Sequence, residues 1–241
     1  MSKRKPLLPF GVIGGMGPAS TLRFLDRVIA KFRCNLAAIQ NSDFPQITMY
    51  TIPDSDHMSD MPNQQIIKHL DRAFTVFEAA ESSFAVAPCN TTHQFLPLRH
   101  RDSTVQMLSI VNAVMKIEAD RLRGKRVLFL STRQTQIARL YDQMFSLTRA
   151  QQVLLTQPDQ AKLDDLIEKA NAGGTLDDLK PSLSDIVTKY NSDVVLLACT
   201  ELSLFLPITT SKPIIDSLGA LAEATYSVSS RETDISFYTA A

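Results

Sequence analysis

The sequence predicts an α/β protein with parallel sheets. Three observations predict it: short apolar runs typical of strands buried on both faces, helical patterns between those runs, and an internal echo that relates two halves of the chain.

Phe10-Gly11-Val12-Ile13 is the first strand-like run, broken by Gly14-Gly15. Ser20 to Phe32 repeats apolar residues at helical spacing, with Ser20 or Thr21 as the expected N-cap. Gln46 to Tyr50 predicts a strand and Gln64 to Ala80 a helix. Phe84-Ala85-Val86-Ala87 predicts a strand, followed by a helix over Val105 to Leu122. The strand Val127 to Leu130 precedes a helix over Gln136 to Phe145 and a shorter strand, Val153-Leu154-Leu155. Leu163 to Ala172 predicts a helix that Gly173-Gly174 would end. Val194 to Ala198 is the last strand, and the polar tail from Ser227 carries no pattern.

A chain of 241 residues, 44% hydrophobic, can bury a core in one large domain or two small ones. Lys plus Arg number 25 and Asp plus Glu 25. The zero net charge offers neither a basic surface for nucleic acid nor an acidic tail for a basic partner. Lys3-Arg4-Lys5 is the only basic cluster and reads as a solvated end. Pro6, Pro9 and the Gly14-Gly15 break argue against a signal peptide. No run approaches the ~18 apolar residues of a membrane helix. A soluble, cytoplasmic protein is expected. Its three cysteines (Cys34, Cys89, Cys199) are an odd number with no CxxC pair, so neither a disulfide framework nor a metal site is expected.

The echo appears when Cys89 is aligned with Cys199. Each follows an apolar run, and each is followed six to eight positions on by Phe-Leu-Pro, at Phe95-Leu96-Pro97 and Phe205-Leu206-Pro207. Val12-Ile13 entering Gly14-Gly15-Met16-Gly17 likewise resembles Val127 to Leu130 entering Ser131-Thr132-Arg133-Gln134-Thr135. Ligands bind at the carboxyl ends of strands in open α/β sheets, where both cysteines would sit. If the halves face each other, the thiols meet across one cleft.

Three motifs carry chemistry. Ala87-Pro88-Cys89-Asn90-Thr91-Thr92-His93 puts a thiol among amide and hydroxyl groups able to hold a carboxylate, or is a buried cysteine with a polar cap. His93 either tunes Cys89 or caps the next helix. Leu197-Ala198-Cys199-Thr200-Glu201 repeats the pattern, with Glu201 either orienting Cys199 or a water, or serving only as a first-turn carboxylate. The glycines at 14, 15 and 17 fail the dinucleotide spacing and suit close backbone approach to a small ligand. Cys34, His57, His69 and His100 lie in no motif.

Two cysteines suit racemisation, in which a thiolate removes the Cα proton from one face while a thiol returns one to the other. A free thiol has pKa ~8.5, which donors or a helix N-terminus can lower. Contacts of roughly 3–3.5 Å to one carbon leave the sulfurs about 7 Å apart, too far for a disulfide. Charge develops on the substrate carboxylate, for which Asn90, Thr91, Thr135 and Thr200 are suitable donors.

At these residues the sequence resembles the aspartate/glutamate racemase family. Gly14-Gly15-Met16-Gly17-Pro18, Cys89-Asn90-Thr91 with His93, Thr135, and Cys199-Thr200-Glu201 match its motifs in order and spacing. The resemblance spans most of residues 7–225. It implies two pseudo-symmetric flavodoxin-like lobes with an active-site cleft between them, no pyridoxal phosphate or other cofactor, and a homodimer. The first lobe would take residues 1–107 plus 208–241 and carry Cys89; the second would take 108–207 and carry Cys199. It implies substrate contacts at Met16, Ser55, Asn90, Thr91, Arg133, Thr135, Asn171, Thr200 and Glu201. In acid-specific relatives an arginine stands where Ser55 is, within Ile52-Pro53-Asp54-Ser55-Asp56, and a lysine where Asn171 is. Serine cannot replace a bidentate arginine, so a neutral or basic amino acid is the expected substrate, with Arg133 as a substitute cation for an acidic one. Two rivals are an isomerase on the same scaffold with a covalent cysteine, and a catalytically silent amino-acid-binding protein. A redox role is weaker, with the cysteines 110 positions apart (199 − 89).

Overall fold

The computed structural model describes residues 6–53, 63–98 and 103–239. In chain order the regular elements are β1 (Phe10–Gly14), α1 (Pro18–Leu36), β2 (Ile47–Thr51), α2 (Asn63–Ala79), β3 (Phe84–Val86), β4 (Gln106–Leu108) and α3 (Ile110–Leu122). They continue as β5 (Arg126–Leu130), α4 (Arg133–Ile137), α5 (Asp142–Thr148), β6 (Gln151–Val153), α6 (Gln157–Asn171), α7 (Leu176–Lys189), β7 (Val194–Leu197), β8 (Ile214–Asp216) and α8 (Ser217–Ser229). Two four-stranded sheets result, ordered β2-β1-β3-β4 and β6-β5-β7-β8. Every pairing is parallel, so the α/β expectation holds and the two sheets repeat one topology.

Alternation along the strands sorts side chains into three cores. Phe10 and Val12 of β1, Phe84 and Val86 of β3, Val127 and Phe129 of β5, and Val194 and Leu196 of β7 all enter one central core. That core lies between the sheets, filled by α1, α3, α5 and α8. Ile13, Ala85 and Ala87 face the outer core under α2. Leu128, Leu130, Val195 and Leu197 face the other outer core under α6 and α7. Continuing the parity, Cys89 packs on the first outer core and Cys199 belongs to the second.

Several expectations shift. α1 begins at Pro18 after Gly17, whose φ of 86° is left-handed, so Ser20 and Thr21 are buried in the first turn rather than capping it. The expected helix over 105–122 contains β4, and Ser109 caps α3 by accepting from the Asn112 N–H. The helix expected over 136–145 is two short ones, broken where Arg139 takes a φ of 54°. The strand expected at 153–155 is β6, two residues earlier. Gly173, at φ 80°, follows the end of α6 as expected. β8, α7 and α8 carried no signal. α8 is buried nearly all round, so it has no polar face to impose a helical period.

β8 hydrogen-bonds to β7 in the second sheet, and α8 packs on α1. Ion pairs Arg27–Asp216 and Lys31–Glu223 fasten α1 to that segment. Among the described residues no helix is long and apolar enough to cross a membrane.

Candidate active site

In each sheet order the chain runs to opposite sides from two adjacent strands, β1 and β3 in one and β5 and β7 in the other. Such switch points open a crevice at the carboxyl ends of the strands. The Gly14–Gly17 loop and Cys89 emerge at the first, and Ser131–Thr135 and Cys199 at the second. Each cysteine leads into a 3-10 turn, Thr91–Gln94 or Thr200–Phe205.

Cys89 is partly buried. The Thr92 hydroxyl and the backbone N–H groups of Thr91 and Thr92 favour its thiolate. Burial outweighs them and, with the nearby charge of Glu201, pushes the thiol up to about 11. Thr92 Oγ1 also donates to Met16 Sδ at 2.8 Å, tying the β1 loop to the β3 loop. His93 is held on both ring nitrogens: Nε2 lies 3.1 Å from the Ile110 N–H and Nδ1 3.0 Å from the Cys89 carbonyl. Nε2 must accept, so Nδ1 carries the proton and the ring is neutral. Burial keeps its pKa below 6.5. His93 therefore caps α3, beyond β4 in the chain, and braces the Cys89 backbone.

Cys199 is buried, and its thiol donates to Glu201 Oε2 at 2.9 Å. Burial first, then the Glu201 charge, raises its pKa well above that of a free thiol, with Cys89 adding to the rise. Glu201 Oε2 also accepts from Thr200 Oγ1 at 3.2 Å. Burial raises the Glu201 pKa, against the donors around it. The carboxyl reaches the N-terminus of α1, where a Cβ on Gly17 would sit 2.1 Å from Oε1. Only glycine admits it at that position, and the buried Ser20 hydroxyl faces the same carboxyl.

Thr91 Oγ1 of the first half lies 3.2 Å from both Thr132 Oγ1 and Thr135 Oγ1 of the second. Gln134 donates to Gln94 at 2.9 Å, again between halves. The Asn90 amide is held by Tyr141 and Ser217. Met16, Asn90, Thr91, Thr135, Thr200 and Glu201 thus come together with the two cysteines through contacts and shared charge. Arg133 does not join them: its Nε pairs with Asp164 at 2.8 Å on the surface. Asn171 is exposed at the end of α6. Ser55 lies outside the described residues, as do Asp54, Asp56, His57, His100 and Lys3-Arg4-Lys5. No group of three or more His, Cys, Asp or Glu side chains suits a metal ion among the described residues. No sequence pattern marks Tyr141, Thr132, Ser217 or Ser20 as a site residue. Ser217 lies 127 positions from Asn90, beyond any local pattern.

Residues 13–225 match the family described as Asp/Glu/Hydantoin racemase. The broad specificity amino-acid racemase RacX of Bacillus subtilis (strain 168) is 27% identical over 223 residues, covering 90% of this chain and 96% of that protein. The aspartate racemase of Picrophilus torridus superposes with a TM-score of 0.77 at 22% identity, covering 96% of this chain and 99% of that one. An aspartate racemase homologue from Pyrococcus horikoshii OT3 gives 0.74 at 25% identity, covering 92% and 99%.

Proposed function

The chain belongs to the Asp/Glu/hydantoin racemase family and is an amino-acid racemase, an isomerase; we propose that it interconverts L- and D-amino acids through Cys89 and Cys199 without a cofactor. The thiolate of one cysteine takes the α-proton, and the electron pair left on Cα spreads into the substrate carboxylate. The thiol of the other cysteine then protonates Cα from the opposite face, leaving each sulfur in its partner's starting state. Side-chain and backbone donors at Asn90, Thr91, Thr135 and Thr200 stabilise the charge on the carboxylate. Glu201 accepts the Cys199 proton when Cys199 acts as base. The observation that carries this reading is that one buried carboxyl, Glu201, bonds Cys199 and acts electrostatically on Cys89.

The substrate is not strictly acidic. Among the described residues brought together at the site, Glu201 is the charged side chain and none is Lys or Arg, since Arg133 is paired elsewhere. A side-chain carboxylate would meet repulsion there without a cation to hold it. The relative RacX is named for broad specificity. A homodimer in the cytoplasm completes the proposal; a two-chain mass in sedimentation velocity supports it and a one-chain mass contradicts the dimer.

A panel of L-amino acids in D2O tests the function. Loss of the α-proton signal with gain of the D-form is expected for neutral or basic members. Exchange confined to aspartate and glutamate refutes the substrate class, and binding without exchange refutes the activity.

A further inference from the structure

The Asn90 side chain follows Cys89 directly, yet its anchors lie 51 and 127 positions further along the chain. Tyr141, at the head of α5, donates its hydroxyl to Asn90 Oδ1 at 2.5 Å. Asn90 Nδ2 donates to Ser217 Oγ, in the first turn of α8, at 3.1 Å. The Ser217 hydroxyl also favours the ionised form of the Tyr141 phenol, so the two anchors lie side by side. All three residues are buried, with relative exposures of 1% for Tyr141, 3% for Asn90 and 0% for Ser217. The Tyr141 ring is fixed independently by Phe129, at 5.2 Å between centroids. The phenol also lies within electrostatic reach of Cys199.

A primary amide has one oxygen and two N–H groups. Tyr141 occupies the oxygen and Ser217 takes one N–H, which leaves the second N–H. We propose that Tyr141 is a positioning residue: with Ser217 it locks the Asn90 amide so that its remaining N–H serves the substrate carboxylate. The inference rests on the racemase activity proposed above. Tyr141 does not touch the reacting carbon; it acts through Asn90. An amide freed from these anchors rotates and presents its oxygen to an anionic group for part of the time, which weakens binding.

The test is a double-mutant cycle with the amino acid that the wild type exchanges fastest in D2O. Tyr141→Phe keeps the ring and its packing on Phe129 and should raise KM about tenfold with little change in kcat, as expected for one displaced hydrogen bond. In an Asn90→Ala background the same substitution should change kcat/KM less than about twofold, because the group it positions is gone. Equal effects in both backgrounds, or an unchanged KM in the single variant, overturn the inference while leaving the racemase activity standing. If Asn90→Ala is inactive, the same cycle is read as the affinity of that amino acid for the Cys89→Ser/Cys199→Ser protein, with the same two outcomes. If Tyr141→Phe does not fold, Ser217→Ala removes the other anchor of the Asn90 amide; a raised KM supports the inference and an unchanged one overturns it. A wild type that exchanges no amino acid overturns the parent activity and this inference together.

Discussion

Cys89 and Cys199 occupy equivalent places in two sheets of identical strand order, on the same side-chain parity and at the head of a 3-10 turn. Their surroundings differ. Cys89 is partly exposed and faces donors: the Thr92 hydroxyl and two backbone N–H groups. Cys199 is buried and faces an acceptor, Glu201, to which it gives its proton. Repetition of a backbone therefore does not repeat the chemistry of the thiol. Burial and the Glu201 charge raise both thiols, and of the two it is Cys199 that gives its S–H to a hydrogen-bond acceptor.

The severest test of the comparison removes either member. Cys89→Ala and Cys199→Ala should each lower racemisation by about a thousandfold or more, within the range for loss of a general acid or base. Full activity in either variant breaks the two-base scheme. Glu201→Gln should cost about a hundredfold in kcat/KM by removing the acceptor for the Cys199 proton. Because the Glu201 charge raises both thiols, the pH midpoint of iodoacetamide labelling should move down at Cys89 and at Cys199. A midpoint that stays in place at Cys89 separates the two sites and contradicts their shared carboxyl.

His93 gives a smaller effect, in stability. Its folded pKa lies below the ordinary 6.5, so the unfolded chain binds a proton that the folded ring refuses. The contribution is full above pH 6.5 and is lost as pH falls toward the folded pKa. Thermal melting of the wild type should drop between pH 7 and pH 5 by more than that of His93→Gln, which keeps a donor and an acceptor but does not titrate. Equal slopes contradict the neutral brace. The smallest expected change is at Arg133. Its ion pair with Asp164 is half-exposed, so Arg133→Ala should alter kcat/KM for a neutral substrate less than about twofold. A tenfold loss confined to aspartate or glutamate restores it as a substrate cation.

The sequence carried the strands that are buried on both faces, because β1, β3, β5 and β7 appear as unbroken apolar runs. It did not carry β4 and β8, which are three residues long and merge with the helices that follow. The cysteine motifs were legible because each packs its polar groups within seven residues of a strand end. Tyr141 and Ser217 were not, since nothing local marks a residue whose partner lies 51 or 127 positions away. The Gly17–Glu201 contact was half legible: both residues stood in motifs, but their closeness depends on how α1 meets the turn after β7.

The most direct measurement of the central claim is a crystal structure of the Cys89→Ser/Cys199→Ser protein with a bound amino acid. Cα is expected between the two hydroxyl oxygens, one on each face, each at about 3–3.5 Å. Both oxygens on one face of Cα, or an amino acid seated away from them, would contradict it.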